Sequence, residues 1–218
     1  MQDKFEVATL SRGFKRKTQG FVIADAGTNA ASIGDEPMQY FFKYGKIKVA
    51  VCENRNDGVQ KLLHSFPRTK VILLDDAFQH RAIKAGLNVI ISDYSNLFYN
   101  DYVIPFGQLR EFRSGYKRAD IIIISKCPQN LSLHDQQMII GNIKPLSHQQ
   151  VFFSTIVYQP IYDFTGLDFE ANLKNKNILL ITGIANNSSI IDHLNTFCTS
   201  IKTLQYPDHH YFSPNEID

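Results

Sequence analysis

Val71-Ile72-Leu73-Leu74-Asp75-Asp76-Ala77-Phe78-Gln79-His80-Arg81 begins as a wholly apolar run and stops at two carboxylates, followed by a glutamine, a histidine and an arginine. A continuous apolar run bounded by polar residues suits a central parallel strand covered on both faces, and open α/β sheets bind ligands beyond the carboxyl ends of their strands. Asp75 and Asp76 therefore stand where a site is expected. Hard carboxylates in that position can hold Mg²⁺ and, with it, neutralise charge on the β- and γ-phosphates of a nucleotide. The plainer reading is a strand followed by a helix with Asp76 as its cap. The density of the Asp-Asp-x-Phe-Gln-His cluster favours chemistry.

Working outward, further short apolar runs occur at Glu6 to Leu10, Lys48 to Cys52, Asn88 to Ser92, Asp120 to Ser125, Asn177 to Thr182 and Ser200 to Gln205. Helical spacing lies between them at Pro37 to Tyr44, Gly58 to Ser65, Asp135 to Ile143 and Ser188 to Phe197. This alternation predicts an α/β protein with a mostly parallel sheet and crossover helices. Gln150 to Tyr158 is rich in β-branched and aromatic residues and runs into Gln159-Pro160, so an extended connector is expected there. The expected organisation is a core over 1–149, a connector over 150–172 and a smaller α/β domain over 173–218.

The 218 residues carry a formal net charge of +2 and are 44% hydrophobic, enough for a proper core and too balanced for wholesale nucleic-acid binding. The longest cationic block, Lys15-Arg16-Lys17, reads as a solvated loop. Cys52, Cys127 and Cys198 are far apart and lack metal-ligand spacing, so free, reduced thiols of a cytoplasmic protein are expected. No apolar stretch approaches the roughly 20 residues needed to span a bilayer.

Several smaller constellations accompany the aspartate pair. Thr9-Leu10-Ser11-Arg12-Gly13 leaves a strand with a guanidinium suited to phosphate and a glycine suited to a tight turn. Gly34-Asp35-Glu36-Pro37 opens a helix, plainly read as an N-terminus with Asp35 as cap. Leu109-Arg110-Glu111 offers a guanidinium and a carboxylate, or an exposed ion pair. Ser125-Lys126-Cys127-Pro128 follows a buried strand and reads either as a nucleotide-base loop or as an ordinary strand end. Thr182-Gly183-Ile184-Ala185-Asn186 is a strand-to-helix turn where a ligand's polar group could approach the backbone. Asp208-His209-His210 could supply acid/base or metal-binding groups, or be merely exposed.

Taken in order, these seven motifs resemble the tetraacyldisaccharide 4'-kinase family of lipid A biosynthesis across nearly the whole chain. The resemblance implies a P-loop-type kinase at the cytoplasmic face of the bacterial inner membrane. It would transfer the ATP γ-phosphoryl to the 4'-hydroxyl of a tetraacylated glucosamine disaccharide 1-phosphate. By the same resemblance, Asp75 and Asp76 are the Mg²⁺ and phosphate-site carboxylates, with Gln79, His80 and Glu111 supporting the metal and nucleotide region and Glu111 counted among the metal ligands. Asp35 becomes the base or base-orienting carboxylate, paired with His209 or, alternatively, His210. Arg12 and Arg110 are implied contacts for the substrate's anionic groups.

Two departures from the family pattern stand out. Ala77 replaces a glycine, which is costly only if its φ is positive. Nothing in Met1 to Thr9 fits Gly-x-x-x-x-Gly-Lys-Ser/Thr, so a truncated chain with little kinase activity of its own is expected, with an apolar surface and a raw sheet edge where a P-loop strand and helix would lie. A glycolipid-binding remnant and a metal-dependent phosphoesterase built on Asp75, Asp76, His80, Asp208 and His209 are the alternatives.

Overall fold

The computed structural model describes residues 2–163, 165–167, 170–208, 210 and 212–213. The chain divides into two units, Met1–Ile156 and Val157–Asp218.

In the first unit, β1 (Val7–Ser11), β2 (Val22–Ile23), α1 (Ala30–Ile33), α2 (Asp35–Lys43), β3 (Lys48–Val51), α3 (Arg55–Ser65) and β4 (Val71–Leu74) build one layered body. The strand order is β2-β3-β1-β4, with β3 and β4 parallel to β1 and β2 antiparallel to β3. Leu10 lies opposite both Ala50 and Leu74, so the three parallel strands end at nearly the same level. Alternation along the strands sends residues to two cores. Leu10, Ala50 and Cys52 pack with Leu62 of α3 on one face. Val49 and Val51 pack with Ile33, Met38 and Phe41 of the α1–α2 segment on the other.

Local chemistry explains where the helices begin. Asn54 accepts hydrogen bonds from the backbone N–H groups of Asn56 and Asp57, so α3 starts three residues before the expected Gly58. Gly58 is an interior residue of that helix, and a Cβ there would lie 2.8 Å from Leu10 Cδ2 and 2.9 Å from Cys52 Cβ. Its missing side chain sets how closely α3 approaches the sheet.

The central strand is β1, every residue of which is buried, rather than β4. Among the described residues β4 pairs only with β1, and Leu73 is 46% exposed, so its apolar run does not mark burial on both faces. No helix follows β4 directly. The chain turns at Asp75-Asp76, with Asp76 in the left-handed region at φ 45°, which rules out the reading of Asp76 as a helix cap.

A second parallel sheet, order β5-β6-β7, comprises β5 (Val89–Asp93), β6 (Ile121–Ser125) and β7 (Gln150–Phe153). It is backed by α4 (Leu133–Ile143), whose Ile139 and Ile143 join Ile122 and Ile124 in a third core. Gln150–Phe153 is thus a sheet strand in register with Ile121–Ile124, not the start of a connector, and the division between units falls at Ile156. Its backbone groups are satisfied by β6, which an isolated connector could not achieve.

In the second unit, α5 (Glu170–Leu173) precedes β8 (Asn177–Thr182), α6 (Ser188–Leu194) and β9 (Ser200–Gln205). β8 and β9 are parallel, paired from Asn177–Ser200 to Thr182–Gln205. These elements form a small α/β body. All three cysteines are free thiols, as expected.

Candidate active site

The carboxyl ends of β1, β3 and β4 place Ser11-Arg12-Gly13, Cys52 to Arg55 and Asp75-Asp76 at one edge of the first sheet. Consecutive crossovers leave opposite faces there, through α1–α2 and then α3, so this edge is the topological switch point where α/β sheets take their ligands. Asp75 continues the sheet, its N–H bonded to the carbonyl of Leu10. Its Oδ2 accepts from the Tyr40 hydroxyl at 3.3 Å. Burial, then the charge and hydrogen bond of Asp75, push the Tyr40 phenol up to about 12.

The positive φ of Asp76 swings its carboxylate onto Arg110, which grips it with both guanidinium ends at 2.9 and 2.5 Å. Arg110 is held above its ordinary value chiefly by this bond. Ala77 does not adopt a positive φ, so its methyl group carries no backbone penalty. The strained position that a glycine would relieve belongs to Asp76 instead.

Arg55 is a member of the site that sequence reasoning missed. It is buried beneath the aspartates, donating to the carbonyls of Cys52 at 2.8 Å and Asp75 at 3.4 Å, with its Nε unpartnered among the described residues. Burial lowers its pKa first, with the charge of Arg12 adding to that effect and Asp76 and Asp75 opposing it. The only sequence signal was its place just after the cap Asn54.

Glu111 occupies the centre of a guanidinium cluster. Arg118 donates to both of its oxygens at 3.0 and 2.8 Å, Arg81 reaches Oε2 at 3.1 Å, and Gln79 reaches Oε1 at 3.4 Å. The hydrogen bond from Arg118 leads in holding the Glu111 carboxyl below the usual carboxylate range, against the opposing effect of burial. Arg118 also donates to the Phe78 carbonyl and lies over the Phe78 ring at 4.5 Å. Gln79 and Glu111 are thus brought together. The Glu111 carboxylate is 19% exposed and engaged by two arginines at once, where that of Asp76 is 63% exposed and meets Arg110, so the geometry of Glu111 is that of a brace rather than of a metal ligand. His80 completes the turn, with Nε2 buried and unpartnered among the described residues.

Other expectations meet plain structural roles. Asp35 is the first residue of α2; Gly34, at φ 96°, is the cap, so the side chain of Asp35 is not the capping group. Arg16 is not solvated, because its side chain is 3% exposed and pairs with Glu53. Lys126 pairs with Asp93 at 2.7 Å across the ends of β5 and β6. In the second unit Gly183 accommodates an aromatic cluster in which His210 stacks on Tyr206 at 4.5 Å and meets Phe212 edge-on. His209 lies outside the described residues.

A groove of about 500 Å³ runs over β1 and β4 beside Tyr40 and Tyr44, lined by Val7, Thr9, Leu73 and Asp75. Thr9 Oγ1 and Ser11 Oγ are buried without partners among the described residues. The donor set at the sheet edge fits Mg²⁺, which takes one or two carboxylates and completes its shell with water and phosphate oxygens. Among the described residues no three His, Cys, Asp or Glu side chains gather into an all-protein metal cage.

Switch-point carboxylates, flanking arginines and parallel strands ending at one level define an α/β protein of the P-loop-like class. A crystal structure of LpxK from Aquifex aeolicus in complex with ATP has this fold, with a TM-score of 0.71 at 23% identity over 97% of this chain and 66% of that one. The chain belongs to the family described as LpxK, tetraacyldisaccharide-1-P 4'-kinase, which matches residues 1–218. Among its relatives, the tetraacyldisaccharide 4'-kinase of Flavobacterium johnsoniae is 41% identical over the whole chain and 64% of its own length. That of Bacteroides thetaiotaomicron is 39% identical over the whole chain and 60% of its own length. The chain thus spans just under two thirds of the length of these relatives. None of these comparisons supports the binding-remnant or phosphoesterase alternatives.

Proposed function

We propose that this chain carries the acceptor-side and phosphate-side machinery of a lipid A 4'-kinase, transferring the γ-phosphoryl of ATP to the 4'-hydroxyl of a tetraacylated glucosamine disaccharide 1-phosphate. The observation that supports it best is the paired carboxylate Asp75-Asp76 at the switch point, bracketed by Arg12, Arg55 and Arg110. In phosphoryl transfer the protein contributes chiefly positioning and charge neutralisation. Asp75 and Asp76 would hold Mg²⁺, which neutralises charge on the β- and γ-phosphates. Arg110, set by Asp76, and Arg12 orient anionic oxygens of nucleotide or lipid. Glu111, clamped by Arg118 and Arg81, fixes the turn carrying Gln79 and His80.

As the acceptor oxygen bonds to the γ-phosphorus and ADP leaves, the hydroxyl proton must pass to a base. Asp35 takes that role. The phosphate loop Gly-x-x-x-x-Gly-Lys-Ser/Thr is found nowhere in the 218 residues, so transfer requires a form of the protein carrying one ahead of β1. Such a form works at the cytoplasmic face of the inner membrane, where its lipid acceptor resides. No helix among the described residues is long and apolar enough to cross a membrane.

The test is transfer of radiolabel from γ-labelled ATP to the disaccharide lipid, followed by chromatography, using the chain as given and a form completed with the phosphate loop. Label appearing on the 4'-position only with the completed form is the expected result. ATP-independent phosphate release by the chain, or an unlabelled lipid with the completed form, would overturn the assignment.

A further inference from the structure

Between β5 and β6, the loop 101–113 holds an apolar surface that the site described above does not use. Tyr102, Ile104, Phe106 and Phe112 all face solvent, Phe106 at 88% and Phe112 at 79% exposure, and Tyr102, Phe106 and Phe112 line a cleft of about 550 Å³. Large side chains this exposed are ordinarily scattered singly, whereas clustered ones mark an interaction surface.

The loop is built to present them. Asp101 accepts from the N–H groups of Tyr102 at 2.7 Å and Gln108 at 3.1 Å, and from Asn96 at 3.2 Å. Its neck is closed by the Leu109 N–H donating to the Tyr102 carbonyl and the Ile104 N–H donating to the Leu109 carbonyl, and Arg113 Nε donates to the Asp101 carbonyl at 2.7 Å. At Gly107 a Cβ would fall 2.2 Å from Asp101 Oδ1, so the tip packs down on its own staple. The aromatic side chains are therefore held out by a closed frame.

Charge identifies what this surface meets. Residues 101–118 carry four cations, Arg110, Arg113, Lys117 and Arg118, against two carboxylates, Asp101 and Glu111. Arg110 and Arg118 are committed to Asp76 and Glu111, whereas Arg113 and Lys117 are in no ion pair among the described residues. Arg113 instead lies over the Tyr102 ring at 4.7 Å, its charge at the margin of the apolar patch. Aromatic rings with cations at their border suit the boundary between acyl chains and anionic headgroups.

We propose that the loop Tyr102–Arg113 seats the protein on an anionic lipid bilayer, with Phe106 and Phe112 entering the acyl boundary and Arg113 and Lys117 meeting headgroup phosphates. The choice of lipid over protein as partner rests on the lipid-kinase reading above. Because Arg110 belongs to the same loop, this seating brings Asp76 to the lipid surface, where an acylated acceptor is found.

The experiment is co-sedimentation of the 218-residue chain with phosphatidylcholine vesicles, with and without one third phosphatidylglycerol, comparing the parent with Phe106→Ser, Phe112→Ser, Arg113→Gln and the control Phe42→Ser on α2. Circular dichroism checks that each variant keeps its fold. Expected are stronger binding to anionic vesicles, a loss of about tenfold for each loop phenylalanine removed, a selective loss of the anionic preference for Arg113→Gln, and no change for Phe42→Ser. Binding of the loop variants equal to the parent overturns the seat while leaving the kinase reading intact. A parent that stays in the supernatant, or equal losses for Phe42→Ser, also overturns it. Loop variants that abolish self-association on sizing without changing vesicle binding would assign the face to a second copy instead. Conversely, a loop-dependent seat in a protein that transfers no phosphate from ATP retains the seat and removes the kinase reading.

Discussion

Replacing Glu111 by glutamine separates a structural brace from a metal ligand. The Glu111 side chain is only 19% exposed, and each of its oxygens receives a charged hydrogen bond from Arg118. Breaking a fully buried ion pair costs about 3–5 kcal/mol, while exposed pairs contribute about 0.2–1 kcal/mol. Arg118 is 34% exposed and Arg81 69% exposed, so solvent takes up part of the loss, and a cost of about 2 kcal/mol is expected. For a unit of this size that corresponds to a fall in Tm of about 4–8 °C. The variant should also change acid sensitivity. Because the folded state holds this carboxyl below its ordinary value, its stabilisation is present above the unfolded value near 4.5 and is lost as pH falls through the folded value. Thermal melts followed by circular dichroism between pH 7 and pH 3 measure both effects. The parent should lose its advantage over Glu111→Gln progressively in the acid range. Equal Tm values at pH 7, or a gap unchanged at pH 3, would refute the brace and return Glu111 to the metal.

Two further perturbations test the packing and the edge of the site. Gly58→Ala improves helix propensity by about 1 kcal/mol but overpacks Leu10 and Cys52 at a cost of about 1–3 kcal/mol, so a net destabilisation of about 1 kcal/mol in urea denaturation is expected and a gain would contradict the close approach of α3. Tyr40 should stay protonated while ordinary tyrosines ionise, leaving one phenol titrating near 12 in ultraviolet absorbance that Tyr40→Phe removes. The contribution of this raised group to stability is full below about 10 and fades as pH rises through the folded value; an unchanged titration curve in Tyr40→Phe would count against the bond to Asp75.

The alternation of apolar runs and helical spacing carried most of the α/β layout, because a strand in a parallel sheet needs a contiguous apolar segment whatever its neighbours. What a run cannot state is its place in the sheet. Val71–Leu74 and Val7–Ser11 look alike as strings, yet only β1 has strand partners on both sides among the described residues. The two-residue β2 was too short to leave a pattern, and β7, alternately exposed and half-buried, resembled a connector. At the site, Asp75, Asp76 and Arg110 were legible from their motifs, and the structure joins two of them directly. Tyr40, Arg55 and Arg118 were not, because each acts through a contact distant in sequence: Tyr40 reaches Asp75 from 35 residues away, and Arg118 reaches Phe78 from 40. Arg16 shows the same limit, since a cationic run in sequence says nothing of Glu53 waiting 37 residues on.

The central claim is that the carboxylates ending β4 handle the transferring phosphate, and the turnover of Asp76→Asn in the form completed with a phosphate loop tests it most directly. Asparagine keeps the shape and one acceptor oxygen of the Arg110 contact but removes the charge. The account predicts a fall in kcat of about a hundredfold or more with the fold retained. A variant that transfers phosphate at close to the parent rate would show that the chemistry is carried elsewhere.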